Sequence, residues 1–227
     1  MRMIVQFEKG EAARFVGHLD LMRAVQRTLR RMDIPLAYSA GFNPHPVLSF
    51  ASAVAVGTES RDEYMDVGLT GEFSEEEFLA RMLRQLPPGL TAKKARLVGD
   101  DYPTLMAQIS SSDYVIGLSD FLTGADWESA VSEMLASETL PVLRETKKGK
   151  REVDARPMIL HAEMKDGSLL LSLATGSAAN LKPESVLEIL CGKLNLPYSP
   201  EYFHIIRTAL WAEKDGNKVS LSELDKA

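Results

Sequence analysis

In each half of this 227-residue chain, apolar periodicity switches between two and 3.6 in the same order. That order limits the fold more than any single motif does, because strands and helices bury different faces. In the first half, residues 3–7 alternate as a strand. Residues 18–32 carry Met22, Val25, Leu29 and Met32 at helical spacing. Residues 35–38 and 47–55 read as extended, and residues 64–69 alternate as another strand. Ser74 opens a second helix, and Glu77 three residues later completes a capping box. This helix runs through Phe78, Leu79, Met82 and Leu86 and stops at Pro87-Pro88-Gly89, before a strand at residues 91–98.

The second half repeats the pattern. Residues 113–118 are a strand, and Asp126 caps a helix through Trp127, Ala130, Val131 and Met134. Residues 158–165 and 168–174 form a hairpin around Asp166-Gly167. Pro183 starts a helix through Val186, Leu187, Leu190 and Leu194, and residues 203–212 close the unit. Residues 214–217 turn that strand back toward Val219. Both halves therefore read β-α-β-β-α-β. The expected fold is α+β: tandem ferredoxin-like domains with antiparallel sheets and helices on one face. The expected domains are residues 1–104 and 113–227, since Ser110-Ser111-Ser112 thins the apolar pattern between them. The repeat is one of architecture, with no residue-level identity between the halves. Residues 36–55 exceed what a simple second strand needs, and such an insertion is a normal place for function.

Apolar runs fall short of the roughly 20 residues of a membrane span. The N-terminus reads as a strand rather than a signal peptide, so the expected location is the cytoplasm with no membrane contact. A single cysteine, Cys191, cannot form an internal disulfide or ligate an iron–sulfur cluster by itself. It lies among Leu187, Leu190 and Leu194, as buried apolar filler does. The formal charge of −6 argues against an indiscriminate nucleic-acid binder. Residues 1–46, however, hold seven Lys/Arg against four Asp/Glu, leaving 19 against 28 for the rest. A local basic site on an acidic body is the expectation.

On the first helix Arg23, Arg27, Arg30 and Arg31 fall within about 100° of one another, opposite the apolar side. Guanidinium groups suit phosphate and carboxylate, and a stripe of four could follow a nucleic-acid backbone. The alternative is a solvated face steadied by Asp20 and Asp33. His18 and Asp20 open that helix, where the dipole favours the carboxylate and a neutral imidazole. If the loop Gly41-Phe42-Asn43-Pro44-His45-Pro46 folds over the helix start, His18, Asp20, Asn43 and His45 converge as an acid–base group. Their spacing is a weak metal signal, so no metal is expected. Phe42 is either a stacking platform for a base or a pin to the core. Glu59, Glu63 and Asp66 are expected to pair with the arginines. Lys147, Lys148, Lys150 and Arg151, flanked by Arg144 and Arg156, form either a second phosphate contact or a basic hairpin tip. His161 and His204 sit in strand patterns and read as structural. The chain has no P-loop, dinucleotide fingerprint, H-E-x-x-H, G-x-S-x-G or C-x-x-C motif. It also has no C-x-x-x-C-x-x-C triplet.

His18-Leu19-Asp20-Leu21-Met22-Arg23 and Gly41-Phe42-Asn43-Pro44-His45-Pro46 resemble signatures of the radical-SAM-linked proteins, the domain of unknown function 2344 (DUF2344) family. Gly149-Lys150-Arg151-Glu152-Val153-Asp154, Arg156-Pro157 and Leu181-Lys182-Pro183 are similar to its later motifs. Members occur fused to, or encoded beside, radical-SAM proteins, often near ribosomal-protein and ribonuclease genes. The resemblance implies an accessory protein that binds RNA, either tRNA or rRNA, and presents it to a radical-SAM partner, holding no cofactor itself. Two alternatives stand beside it. One is a metal-independent endoribonuclease or RNA-modifying enzyme acting through His18 and His45, as histidine-using CRISPR-repeat endoribonucleases on tandem ferredoxin-like domains would suggest. The other is a pure protein-interaction module.

Overall fold

The computed structural model describes residues 1–146 and 149–223, and only the backbone of residues 144–146 and 150. The first half runs β1 (Arg2–Lys9), α1 (His18–Arg31), β2 (Leu48–Phe50), β3 (Thr58–Gly68), α2 (Glu75–Gln85), β4 (Leu90–Val98) and the one-turn α3 (Leu105–Gln108). The second half runs β5 (Ile109–Leu118), α4 (Trp127–Ala136), β6 (Pro141–Thr146), β7 (Gly149–Asp154), β8 (Ile159–Lys165), β9 (Ser168–Ala174), α5 (Pro183–Lys193), β10 (Phe203–Lys214) and β11 (Asn217–Ser220). The result is a mixed α+β chain with mostly antiparallel sheet.

Two compact units divide it: Met1–Ile109 with the chain from Ala209 onward, and Ser110–Thr208. In the first unit β1 pairs antiparallel with β3 and β4, and β2 pairs with β3, giving the order β4-β1-β3-β2. Met3, Val5 and Phe7 of β1 join Met65 and Val67 of β3 under α1 and α2. Leu21, Val25 and Leu29 of α1 and Phe78 and Met82 of α2 complete that core. Alternation then sends Ile4 and Tyr64 to the opposite face. There they meet Leu105 of α3 and Ile109, together with Leu210, Ala212 and Leu221.

Two expectations change here. The first sheet is not covered by helices on one face alone, because α3 and the returning chain lie on the other. The expected units 1–104 and 113–227 also differ from those observed. Residues from 209 onward join the first unit because Leu210, Ala212 and Leu221 are buried there, and the Leu210 N–H donates to Asp62 Oδ2 at 2.9 Å. Burial on both faces also explains why β3 starts at Thr58, earlier than the alternation at residues 64–69 suggested.

In the second unit β5 pairs with β9 and β9 with β8, while β10 lies beside β5. Leu169, Leu171 and Leu173 of β9 pack with Ile116 of β5, Trp127 and Met134 of α4, and Leu187 and Leu190 of α5. Cys191 is buried in that cluster, as its leucine neighbours implied. The expected turn is present: Asp166 and Gly167 have φ of 50° and 75°, as a two-residue hairpin of this kind requires. The caps also form where their residues stand. Ser74 accepts from the Glu77 N–H, and Asp126 accepts from the Ser129 N–H.

The pair β6–β7 forms a separate two-stranded sheet that the sequence pattern did not resolve. Its foot is latched. Asp154 Oδ1 accepts from the N–H groups of Leu140 (2.8 Å) and Arg156 (2.9 Å), and Arg156 Nε donates to the Leu135 carbonyl at 3.0 Å. The Asp-Ala-Arg-Pro run is thus a fastening between the hairpin and the end of α4. Those two N–H donors hold the Asp154 carboxyl below the usual carboxylate range. Its contribution to stability is therefore present above the ordinary aspartate range and lost as pH falls through the depressed value. Urea melts at pH 7 and pH 3 should show the wild type losing stability on acidification, and Asp154→Asn losing less.

Candidate nucleic-acid interface

Helix α1 follows a Gly17 N-cap in extended backbone, with no side chain accepting from its first N–H groups. Its inner face buries Leu21, Val25, Thr28 and Leu29. Its outer face exposes Leu19, Asp20, Arg23, Arg27, Arg30 and Arg31. The four arginines that the spacing singled out divide into two kinds. Arg23 pairs with Asp20 at 3.0 Å, and both are exposed, so the pair is a weak one. Arg31 reaches α2, donating to Gln85 Oε1 at 3.0 Å and to the Gln85 carbonyl at 2.7 Å. Arg27 and Arg30 are exposed and make no hydrogen bond or ion pair with the described residues.

Packing of α1 on α2 adds a cation that the pattern missed. Arg84 is exposed on the last turn of α2 and lines one depression with Arg31, Arg81, Gln85 and Glu77. Arg81 has a structural task there. It pairs with Glu77 at 2.5 Å and donates to the carbonyls of Met32 (2.9 Å) and Asp33 (2.5 Å), closing the end of α1. An Arg81/Arg84 pair one helical turn apart is visible in the sequence. Only the tertiary fold sets it beside α1.

The loop of residues 41–46 is the tip of a hairpin. Tyr38 bridges to Pro46, and the Ser39 N–H donates to the His45 carbonyl at 2.9 Å. Gly41 has φ of 117°, and Phe42 is completely exposed at 111%, so it does not pin the loop to the core. Asn43 is exposed beside it. The His45 N–H donates to Ser39 Oγ at 3.2 Å, and its Nδ1 lies 3.3 Å from the Pro46 carbonyl. His18 lies edge-on to Phe50, with ring centres 5.6 Å apart, and its buried Nδ1 has no hydrogen-bond partner among the described residues. The hydrogen bonds and ring contacts of His18 and His45 share no residue, and the ion pair of Asp20 is with Arg23. Among the described residues no group of three His, Cys, Asp or Glu side chains is placed to hold a metal.

Asp66 was expected to pair with the arginine stripe. It pairs instead with Arg2 at 3.1 Å, both largely buried. Burial raises its carboxyl above the usual carboxylate range, against the opposing pull of Arg2. Glu63 is buried within β3, so it is not on the surface beside α1. In the second unit Arg151 is exposed opposite Arg144 in the hairpin register. Lys147, Lys148 and the Lys150 side chain lie outside the described residues. His161 and His204 are exposed on β8 and β10.

The approach to α1 is held from below by Lys9, a side chain that sequence reasoning passed over as a strand end. Lys9 is fully buried, and its Nζ donates to the carbonyls of Arg14 (2.8 Å), Thr58 (3.3 Å) and Ala55 (3.4 Å). A buried ammonium must be satisfied in this way, and here it binds the loop before α1 to the loop before β3.

The fold and this helix define a mixed α+β protein with an arginine-bearing helix above one sheet. The chain belongs to the family described as "Uncharacterized protein conserved in bacteria (DUF2344)", which matches residues 2–183. No curated protein matches the chain. Among solved structures the chain is similar to one in the "Crystal Structure of a Cbf5-Nop10-Gar1 Complex", with 10% identity and a TM-score of 0.47. That similarity covers 99% of this chain and 54% of the other, so this chain spans about half the length of the solved one. Among the described residues no helix is long and apolar enough to cross a membrane.

Replacing Lys9 by methionine should leave the carbonyls of Arg14, Ala55 and Thr58 without their ammonium donor in a dry site. The expected loss is about 3 kcal/mol, read from urea denaturation. Amides around residues 14–18 and 55–58 should exchange hydrogen faster.

Proposed function

We propose that this chain is an RNA-binding accessory protein that works with a radical-SAM enzyme in RNA or ribosome modification. The observation that carries the RNA part is a pair of exposed arginines, Arg27 and Arg30, without a counter-charge among the described residues, on a chain whose net charge is negative. Arg31 and Arg84 extend the same basic region, while Arg81 is committed to closing α1. A net negative chain with a basic helix face favours a defined site for a polyanion over indiscriminate coating. The strand orders β4-β1-β3-β2 and β10-β5-β9-β8 support reading both units as ferredoxin-like. The radical-SAM part rests on the two motifs at residues 18–23 and 41–46. One cysteine cannot ligate a cluster, so the chemistry would belong to the partner and the RNA contact to this chain. On this reading the pair works in the cytoplasm on tRNA or rRNA.

Arg27→Glu with Arg30→Glu should leave the fold unchanged, since neither side chain is paired within it. Affinity for total cellular RNA should drop, and the slope of log K against log salt should flatten by roughly one phosphate contact per arginine. Unchanged affinity would favour a protein-interaction module.

The partner is tested separately. Co-purification with the radical-SAM enzyme should survive Phe42→Ala and His45→Ala, whereas substrate processing by the pair should fall. A complex broken by those changes with RNA affinity intact would make the loop a docking surface.

A further inference from the structure

Six of the eleven exposed large apolar side chains among the described residues fall within residues 15–56: Phe15, Leu19, Tyr38, Phe42, Val47 and Val56. That stretch also holds the arginines of α1. Single exposed apolar residues are ordinary, but six of them in the same stretch of chain as the unpaired Arg27 and Arg30 are not explained by folding. Phe15 is the best-built member. Its ring is 67% exposed, yet it is not loose. The Arg14 guanidinium lies 4.6 Å from the ring centre. Gly57, at φ 88°, lies alongside; a Cβ there would come within 3.9 Å of the ring. The Val56 side chain lies 3.8 Å from the Cβ position of Gly17, at the N-cap of α1. The Gly57 N–H donates to the Arg14 carbonyl at 2.9 Å, and that carbonyl also accepts from the buried Lys9. An aromatic ring is thus held in solvent on a frame tied to a fully buried charge.

Leu19, four residues after Phe15 and in the first turn of α1, is 66% exposed. Arg23, Arg27 and Arg30 follow it at steps of four, four and three residues, which keeps them on one stripe. From Leu19 to Arg30 the stripe runs about 16 Å. Its apolar end suits a base, and its cationic end suits phosphates.

We propose that Phe15 is a stacking platform for an unpaired base of single-stranded RNA whose phosphates run along Arg23, Arg27 and Arg30. This rests on the RNA-binding reading above and adds the form of the RNA. Bases in an A-form duplex already stack on each other, and the helix offers proteins mainly phosphates and 2′-hydroxyls. An exposed ring at the head of a phosphate track gains only from a base splayed out of such a stack. The arginine row argues for a polyanion over an apolar protein segment. Because Lys9, Arg14 and Gly57 order the ring beforehand, little conformational freedom is lost when a base lands on it.

Fluorescence anisotropy on the full chain tests this, with a fluorescein-labelled 12-nucleotide oligoadenylate and a 12-base-pair RNA duplex as probes. Phe15→Ala should weaken single-strand binding roughly tenfold, without changing its salt slope or duplex affinity. Phe15→Trp should restore single-strand affinity, and far-UV circular dichroism should be the same for all three proteins. Single-strand affinity within twofold of wild type in Phe15→Ala, with Arg27→Glu/Arg30→Glu still weakened, would overturn the platform and leave the RNA reading standing. The patch would then be a protein-docking face. Equal losses on single strand and duplex, or no rescue by tryptophan, would also overturn it. Wild-type protein that binds neither probe would overturn the RNA reading itself.

Discussion

The ammonium of Lys9 has no water to turn to. A charge buried that completely persists only if the chain surrounds it with oxygen, and the carbonyls of Arg14, Ala55 and Thr58 supply part of that shell. Two loops far apart in sequence are joined as a result. One leads into α1 and carries Phe15 and Gly17; the other carries Val56 and Gly57 into β3. Gly89 packs against the same region from the turn before β4. It has φ of 86°, and a Cβ there would lie 2.7 Å from the Ala13 N, so no other residue fits without displacing the turn before α1. This fastening holds the loop from which α1 starts, while Leu21, Val25 and Leu29 seat the helix on the sheet and turn its arginines outward.

Charge in the first unit is divided by burial. Arg2 and Asp66 face each other on β1 and β3, largely out of solvent, and Asp62 serves Gln6 and the Leu210 N–H from the same face. These groups hold strands and the returning chain together. Arg81 and Arg31 do the same for the helix pair through the carbonyls of Met32 and Asp33, just past α1, and of Gln85. Arg27, Arg30 and Arg84 lie outside this internal traffic. Cations left in water on a helix that follows an exposed aromatic ring, Phe15, are the feature of this molecule most readily matched to a polyanion with accessible bases.

Local signals in the sequence were legible where the chemistry is local. Ser74 and Asp126 cap their helices because a side-chain oxygen reaches an N–H two or three residues on, whatever the rest of the fold does. Asp166-Gly167 turns a hairpin because two successive residues with positive φ are accessible to that pair. The candidate site was legible only in part. The spacing placed Arg23, Arg27, Arg30 and Arg31 on one face of α1, and all four are on its outer surface. It could not say that Arg31 would be tied to Gln85, that Arg84 would join them, or that Asp66 would choose Arg2. Each of those depends on which elements pack together.

From the sequence alone came the order of the main strands and helices, without α3 or the β6–β7 pair, the face of each of those helices that turns inward, and the single cysteine that cannot hold a cluster. Periodicity and residue chemistry decide these within a few turns of chain. The tertiary structure alone decided the rest. It sent the chain beyond Ala209 to the first unit, covered both faces of β1 and β3, separated the contacts of His18 from those of His45, and buried Lys9 at a strand end. These outcomes turn on which surfaces lose water together, and that is a property of residues brought close in space from distant positions in the chain.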